Sequence, residues 1–231
     1  MSAEPRLVEV RRNVMKKNDV LARALRERYR RDGIFVVSLV SSPGSGKTTL
    51  LEKTLTELGK THRVAALVGD LATDNDAARL ARSGAPVKQI TTGTVCHLDA
   101  EMVNDALNNW PPLTPDFLFI ENVGNLVCPS SYDLGENLRA VALSVTEGED
   151  KPLKYPTIFN SADIAIITKS DLAEAAEFDW QTAERNIQSV RPGMTITRLS
   201  AKKGDGIPQW IELLQRSAGV SPAASRRPAS T

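Results

Sequence analysis

Cysteine and histidine are scarce in this chain, with two of each among 231 residues, and aromatic residues make up only 5%. Two thiols are too few for the disulfide framework of a small secreted domain. The longest apolar runs, such as Ile34–Val40 and Ile164–Ile167, fall far short of the ~20 residues a membrane-spanning helix needs. Neither charge sign dominates: 29 Lys and Arg face 28 Asp and Glu, a net charge of +1, so no general affinity for nucleic acid is expected. The N-terminus, MSAEPRLVEVRR, is charged from the outset and has no signal-peptide core, which makes the cytoplasm the expected compartment and excludes a membrane role.

What is present is an ordinary apolar fraction in a chain long enough for one sizeable core. Residues 6–32 read as a helix with Leu7, Val10, Val14, Val20, Leu21 and Leu25 on one apolar side. From Ile34 onward, short apolar runs alternate with amphipathic stretches. Strands are expected at Ile34, Val64, Val87, Phe117, Ala140, Ile164 and Met194. Helices are expected at Lys47–Leu58, Asn75–Arg82, Leu98–Asn109 and IPQWIELLQ. That alternation implies an α/β fold, a mostly parallel, doubly wound sheet with helices on both faces. The expected organisation is an N-terminal helical extension over 1–33, a P-loop domain over 34–216 and a disordered Ser/Ala/Pro-rich tail over 217–231.

The segment SSPGSGKTT at Ser41–Thr49 follows an apolar run and opens a helix, the setting of a Walker A loop. Gly44, Ser45 and Gly46 let backbone N–H groups face phosphate oxygens. Lys47 supplies a cation, and Thr48 a hydroxyl for Mg²⁺, with Thr49 beside it. Ser41 stands where the usual first glycine would be. The base is read from two later segments. In ITKSD, Asp171 can accept from guanine N1–H and its exocyclic amine while Lys169 lies along the base; Ser200-Ala201-Lys202 suits the guanine O6. Thr168 replaces the usual Asn, and its lack of an amide is expected to cost both the bracing of the loop and a base contact. GTP is preferred to ATP on this pattern.

Asp70, at the end of the strand sequence VAALVGD, can hold Mg²⁺ through water or orient the attacking water, with Asp76 and Asp74 as further candidates. ENVGN resembles a D-x-x-G switch with Glu121 in the acid's place and Gly124 near the γ-phosphate. The simpler reading of these acids, Asp70 apart, is capping and turn formation. Cys96, His97 and Cys128 are a ligand set for Ni²⁺ or Zn²⁺. Free cysteines are more often small buried residues, but loops after successive parallel strands emerge at one sheet edge, which would gather these three near the nucleotide.

SSPGSGKTT, GDLATDNDA, TTGTVCHLDA, FIENVGNLVCP, LSVTEGEDKPLKYP and the closing SAK resemble the HypB family of hydrogenase-maturation GTPases, from Ile34 to about Leu214. The resemblance implies a GTPase that binds GTP/GDP with Mg²⁺, forms a homodimer with GTP bound and delivers nickel to the [NiFe]-hydrogenase large-subunit precursor with a HypA-type metallochaperone. It makes Cys96, His97 and Cys128 the metal ligands, and Lys47, Thr48 and Asp171 nucleotide contacts. Its EDKPLKYP segment serves the dimer and brings Lys151 or Lys154 to nucleotide across the interface. The C-x-x-C-G-C motif and histidine-rich tract of some members do not occur in these residues, leaving the G-domain site as the expected metal site. The expected mechanism is a switch: GTP and Mg²⁺ order the loops around Asp70 and Glu121 and reposition Cys128 against Cys96 and His97. Hydrolysis is expected to be slow, because no arginine finger stands out. Rival readings are a GTP-controlled docking protein whose cysteines only pack, a urease-type accessory GTPase, whose C-P-H motif is missing, and a small-molecule kinase, for which no lid segment is evident.

Overall fold

The computed structural model describes residues 4–71 and 75–220, with side chains from residue 13 onward. Asp74, the side chains of Leu7 and Val10, and most of the tail expectation lie outside the described residues. The strands are β1 (Phe35–Ser41), β2 (Val64–Asp70), β3 (Val87–Thr91), β4 (Phe117–Glu121), β5 (Leu138–Ser144), β6 (Ile164–Thr168) and β7 (Thr195–Arg198). They form one sheet in the order β3-β2-β4-β1-β5-β6-β7, and every described pairing is parallel. The seven expected strands are all there, and the sheet is parallel throughout rather than mostly so.

Period-2 alternation divides β1 between two apolar layers. Val37 and Leu39 face α2 (Lys47–Leu58) and α8 (Ile207–Ser217), where Leu50, Leu51, Leu55, Trp210 and Leu214 are buried. Val36 faces α1 (Glu4–Asp32) and α4 (Ala100–Asn108), and Val40 faces α6 (Pro156–Ser161) and α7 (Trp180–Val190). A parallel sheet covered on both faces needs largely apolar strands, and β5 is buried along its whole length even though it includes Arg139. Two short helices complete the layers, α3 (Asn75–Ala81) and α5 (Lys151–Lys154). No helix among the described residues is long and apolar enough to cross a membrane.

The N-terminal helix packs Leu21 and Leu25 inward as expected but departs from the expected face at Val14 and Val20. Val14 and Val20 are exposed, and the buried stripe is Asn18, Ala22, Leu25 and Tyr29. These sit at helical spacing on one side; Val20, two positions from Asn18, points away from it. A polar residue heads the stripe because its amide has partners: Asn18 Oδ1 accepts from Ala100 N and Nδ2 donates to the Asp133 carbonyl, both at 2.9 Å.

Candidate functional site

The C-terminal ends of all seven strands share one edge, and most candidate residues lie at those strand ends, in the loops leaving them or in the first turn of the helix that follows. After β1 the backbone curls through Gly44 and Gly46, both left-handed, and α2 begins at Lys47. Its N-terminus places free N–H groups and a positive dipole end toward an anion. Ser41 occupies the first-glycine position with purpose: its hydroxyl accepts from Lys47 Nζ at 2.9 Å and from Ser45 Oγ. It is wholly buried and holds the lysine within the loop.

Lys47 is itself buried, and burial pulls its pKa below the ordinary lysine value, against the pull of Glu121, Asp76 and Glu147. Glu121, at the end of β4, is the opposite charge. Its Oε1 accepts from Thr48 Oγ1 at 2.7 Å, while Oε2 is buried without a hydrogen-bond partner. Burial pushes its pKa up to about 7; Lys47 and the Thr48 hydroxyl restrain that rise. A buried carboxylate oxygen lacking a partner beside a Walker-type threonine is chemically suited to a hard cation such as Mg²⁺. Asp70 ends β2 and its Oδ1 accepts from Leu71 N at 2.6 Å; Asp76 lies in the first turn of α3, close enough to act electrostatically on Lys47 and Glu121. Gly124 packs against Pro43, its missing Cβ falling 3.0 Å from Pro43 Cα, so the ENVGN segment lies directly on the phosphate loop.

The base-reading segments are adjacent. Ser170 N donates to Leu199 O and Leu199 N to Ile167 O, pairing the ITKSD turn with the SAK turn. Lys169 Nζ donates to Gly44 O at 2.7 Å, laying its side chain along the phosphate loop, and Asp171 is exposed in the following turn. Ser200 is buried, its hydroxyl accepting from Lys203 N; Ala201 is buried and Lys202 exposed. Thr168 corrects one expectation. Its hydroxyl donates to Ser45 O at 2.6 Å, so threonine does brace the loop; only the amide's reach to the base is lost. Lys154 stands apart, exposed on α5 and paired with Asp150 at 2.6 Å, while Lys151 lies near Glu147 and over the Tyr155 ring.

Cys96 and His97 follow β3 and Cys128 follows β4. Their ligand atoms lie within 4.8 Å of one another, with the two sulfurs 3.0 Å apart. His97 stacks on Tyr132 with ring centroids 4.0 Å apart, and its Nδ1 is buried without a partner. Burial holds its pKa below the ordinary value, opposed by Asp99, which favours the neutral ring with a lone pair to give. Two thiols and a neutral imidazole are a donor set for a borderline metal, with one position open to a further ligand.

Three participants carried no clear sequence signal. Arg79 donates to Thr49 Oγ1 at 2.8 Å and pairs with Glu52; Tyr132 forms the floor under His97; Asn122 accepts from the Leu98 amide. Asn122 alone stood beside a candidate, directly after Glu121.

Residues 35–198 match the CobW/HypB/UreG nucleotide-binding domain. The hydrogenase maturation factor HypB of Azotobacter chroococcum mcd 1 is 45% identical over 218 residues, 94% of this chain and 72% of that protein. The crystal structure of HypB from Helicobacter pylori in complex with nickel shares 41% identity and a TM-score of 0.83, covering 93% of this chain and 100% of that one. HypB from Archaeoglobus fulgidus shares 39% identity and a TM-score of 0.81 over 88% and 99%. With a phosphate-type loop, a two-thiol and imidazole cluster on the same sheet edge and these likenesses over most of its length, the chain belongs to the HypB hydrogenase maturation factors of the CobW/HypB/UreG family.

Proposed function

We propose that this protein hydrolyses GTP and delivers nickel during [NiFe]-hydrogenase maturation, with nucleotide state controlling a Cys96/His97/Cys128 metal site. The observation that carries the reading is the convergence of those three ligand atoms within 4.8 Å on the sheet edge that also bears the phosphate loop. Nickel is the cargo. A site with three protein ligands and an open position suits transfer, because the next protein can supply a ligand before the first set lets go.

On the nucleotide side, Gly44, Ser45, Gly46, Thr48 and Thr49 cradle the phosphates, and Lys47 leaves Ser41 to meet the β- and γ-phosphates. Lys169 and Asp171, with Ser200, Ala201 and Lys202, take the guanine; the paired turns support that assignment. Thr48 and Glu121, with Asp70, would hold Mg²⁺, which supplies positive charge against the phosphoryl oxygens as the γ-phosphate departs. Asp70 or Asp76 orients the attacking water. Nucleotide binding draws the loops at Asp70 and Glu121 together, favours a homodimer through the segment containing Lys151 and Lys154, and changes the spacing of Cys128 against Cys96 and His97. The working partners are then a HypA-type metallochaperone and the hydrogenase large-subunit precursor.

The test is calorimetric titration of Ni²⁺ into the wild type and Cys96→Ala, each with GDP and with a non-hydrolysable GTP analogue. Binding that depends on nucleotide and is lost in Cys96→Ala supports delivery. Equal binding by both proteins would leave a GTP-controlled docking protein whose cysteines only pack.

A further inference from the structure

Two contacts on the stretch between Cys96 and α4 come from the strand ends that carry the nucleotide-site acids. Asn122, immediately after Glu121, is 2% exposed and accepts through its side-chain Oδ1 from the Leu98 amide and from its own neighbour Val123, both at 2.9 Å. Leu98 is fully buried, and its side chain fills the space left by Gly69, directly before Asp70: a Cβ on Gly69 would lie 2.7 Å from Leu98 Cγ. The residue following His97 is thus held from below by the β2 end and from the side by the β4 end. Asn122 N in turn donates to Leu39 O of β1, the strand that leads into the phosphate loop.

We propose that Asn122 is the positioning residue through which the nucleotide site sets the geometry of the metal site. Glu121 is tied to Thr48, so a shift of Thr48 toward Mg²⁺ and phosphate moves the Glu121–Asn122 peptide. The Asn122 side chain passes that displacement to the Leu98 amide, one peptide from His97 and two from Cys96. Packed interiors transmit such shifts because Leu98 has no slack against Gly69. Cys128 lies on the same segment as Glu121, seven positions on, so one displacement acts on both sides of the ligand set.

The inference rests on the metal-delivery reading, and the experiment separates the two. Nickel affinity is read from the thiolate-to-nickel charge-transfer absorbance, with GDP and with a non-hydrolysable GTP analogue, in wild type, Asn122→Ala, Asn122→Asp and Cys96→Ala. The wild type is expected to show a ratio between nucleotide states of about fivefold or more, the usual scale of coupling between sites. In Asn122→Ala the ratio falls to about one, while GTP-analogue affinity stays within about threefold, since Lys47 and Thr48 keep their own partners. Asn122→Asp, which retains an oxygen acceptor for the Leu98 amide, restores the ratio; a merely structural role would lower the melting temperature and leave the ratio intact. A wild-type ratio in Asn122→Ala overturns the proposal. A ratio of one in the wild type, with nickel binding lost in Cys96→Ala, overturns it while leaving the metal site standing; nickel binding unaffected by Cys96→Ala removes the delivery reading itself. Should Asn122→Ala not fold, the Leu98 amide resonance of the wild type decides: it shifts on exchanging GDP for the analogue, and an unmoved resonance overturns the proposal.

Discussion

Single residues at this site work against their own chemistry, and that makes their contributions measurable. Folded Glu121 keeps its proton up to about pH 7, whereas the unfolded chain releases it near 4.5. Between those values the native state binds more protons, so this group's effect is to lower stability as pH rises. Glu121→Gln removes that effect. The unfolding free energy of the nucleotide-free variant, relative to wild type, is expected to rise by about 3 kcal/mol from pH 4.5 to 7, measured by urea denaturation across that range. No such rise would mean that the carboxylate is solvated. Thr168 gives a second case. Thr168→Ala leaves Ser45 O without its donor and is expected to cost about 1–2 kcal/mol and weaken GDP binding, with Thr168→Ser restoring both. A Thr168→Ala protein with wild-type GDP affinity would show that the loop needs no brace from β6. The bond spans 123 positions, which is why a sequence comparison sees only a missing asparagine and not the hydroxyl that replaces it.

At the scale of elements, legibility followed local pattern. Lys47–Leu58 begins and ends where the sequence reading placed it, because a left-handed glycine precedes it and an apolar period runs through it. Strands β3 and β6 likewise match their expected residues; β6 is buried throughout and stands out as a short apolar run, whereas β3, at the sheet edge, is only partly buried and carries Lys88 and Gln89. Helices α5, α6 and α7 are not among the expected ones; α5 and α6, four and six residues long with a proline in each first turn, carry no period to read, whereas α7 is eleven residues long. The face of α1 is legible at Leu21 and Leu25 but not at Val14 and Val20, for a different reason. Its buried stripe starts with Asn18, and a polar residue counts against burial until its partners at Ala100 and Asp133 are known. The cysteines are recognisable as donors, and their meeting also follows from the rule that loops after parallel strands leave one sheet edge; the strand order adds that β2 lies between their strands. The joint between α2 and α8 offers an elementary test. Trp210 is fully buried and its indole N–H donates to Thr54 Oγ1 at 3.0 Å. Trp210→Ala is expected to cost about 3–5 kcal/mol in urea denaturation. A loss under 1 kcal/mol would show that α8 docks by other contacts.

For the whole molecule the decisive quantity is the coupling between nucleotide and cargo. Binding free energies are reciprocal, so the factor by which the GTP analogue changes nickel affinity must equal the factor by which nickel changes analogue affinity. Calorimetry in both orders checks this, and sedimentation in the same solutions reports whether the dimer carries the difference. A nickel-induced change in dimerisation without any change in nucleotide affinity would place the coupling at the subunit interface instead of within one chain. The strand order adds a further consequence. Cys96 and Cys128 leave β3 and β4, which are separated by β2 and hence by about 10 Å of sheet, yet their sulfurs meet over its end. No single segment therefore holds the metal site. The smallest piece that could be transplanted into another protein with its cargo pocket intact is the three-strand block from Val64 to Tyr132, which keeps the ring under His97, and it would bring the acid at the tip of β2 along with it.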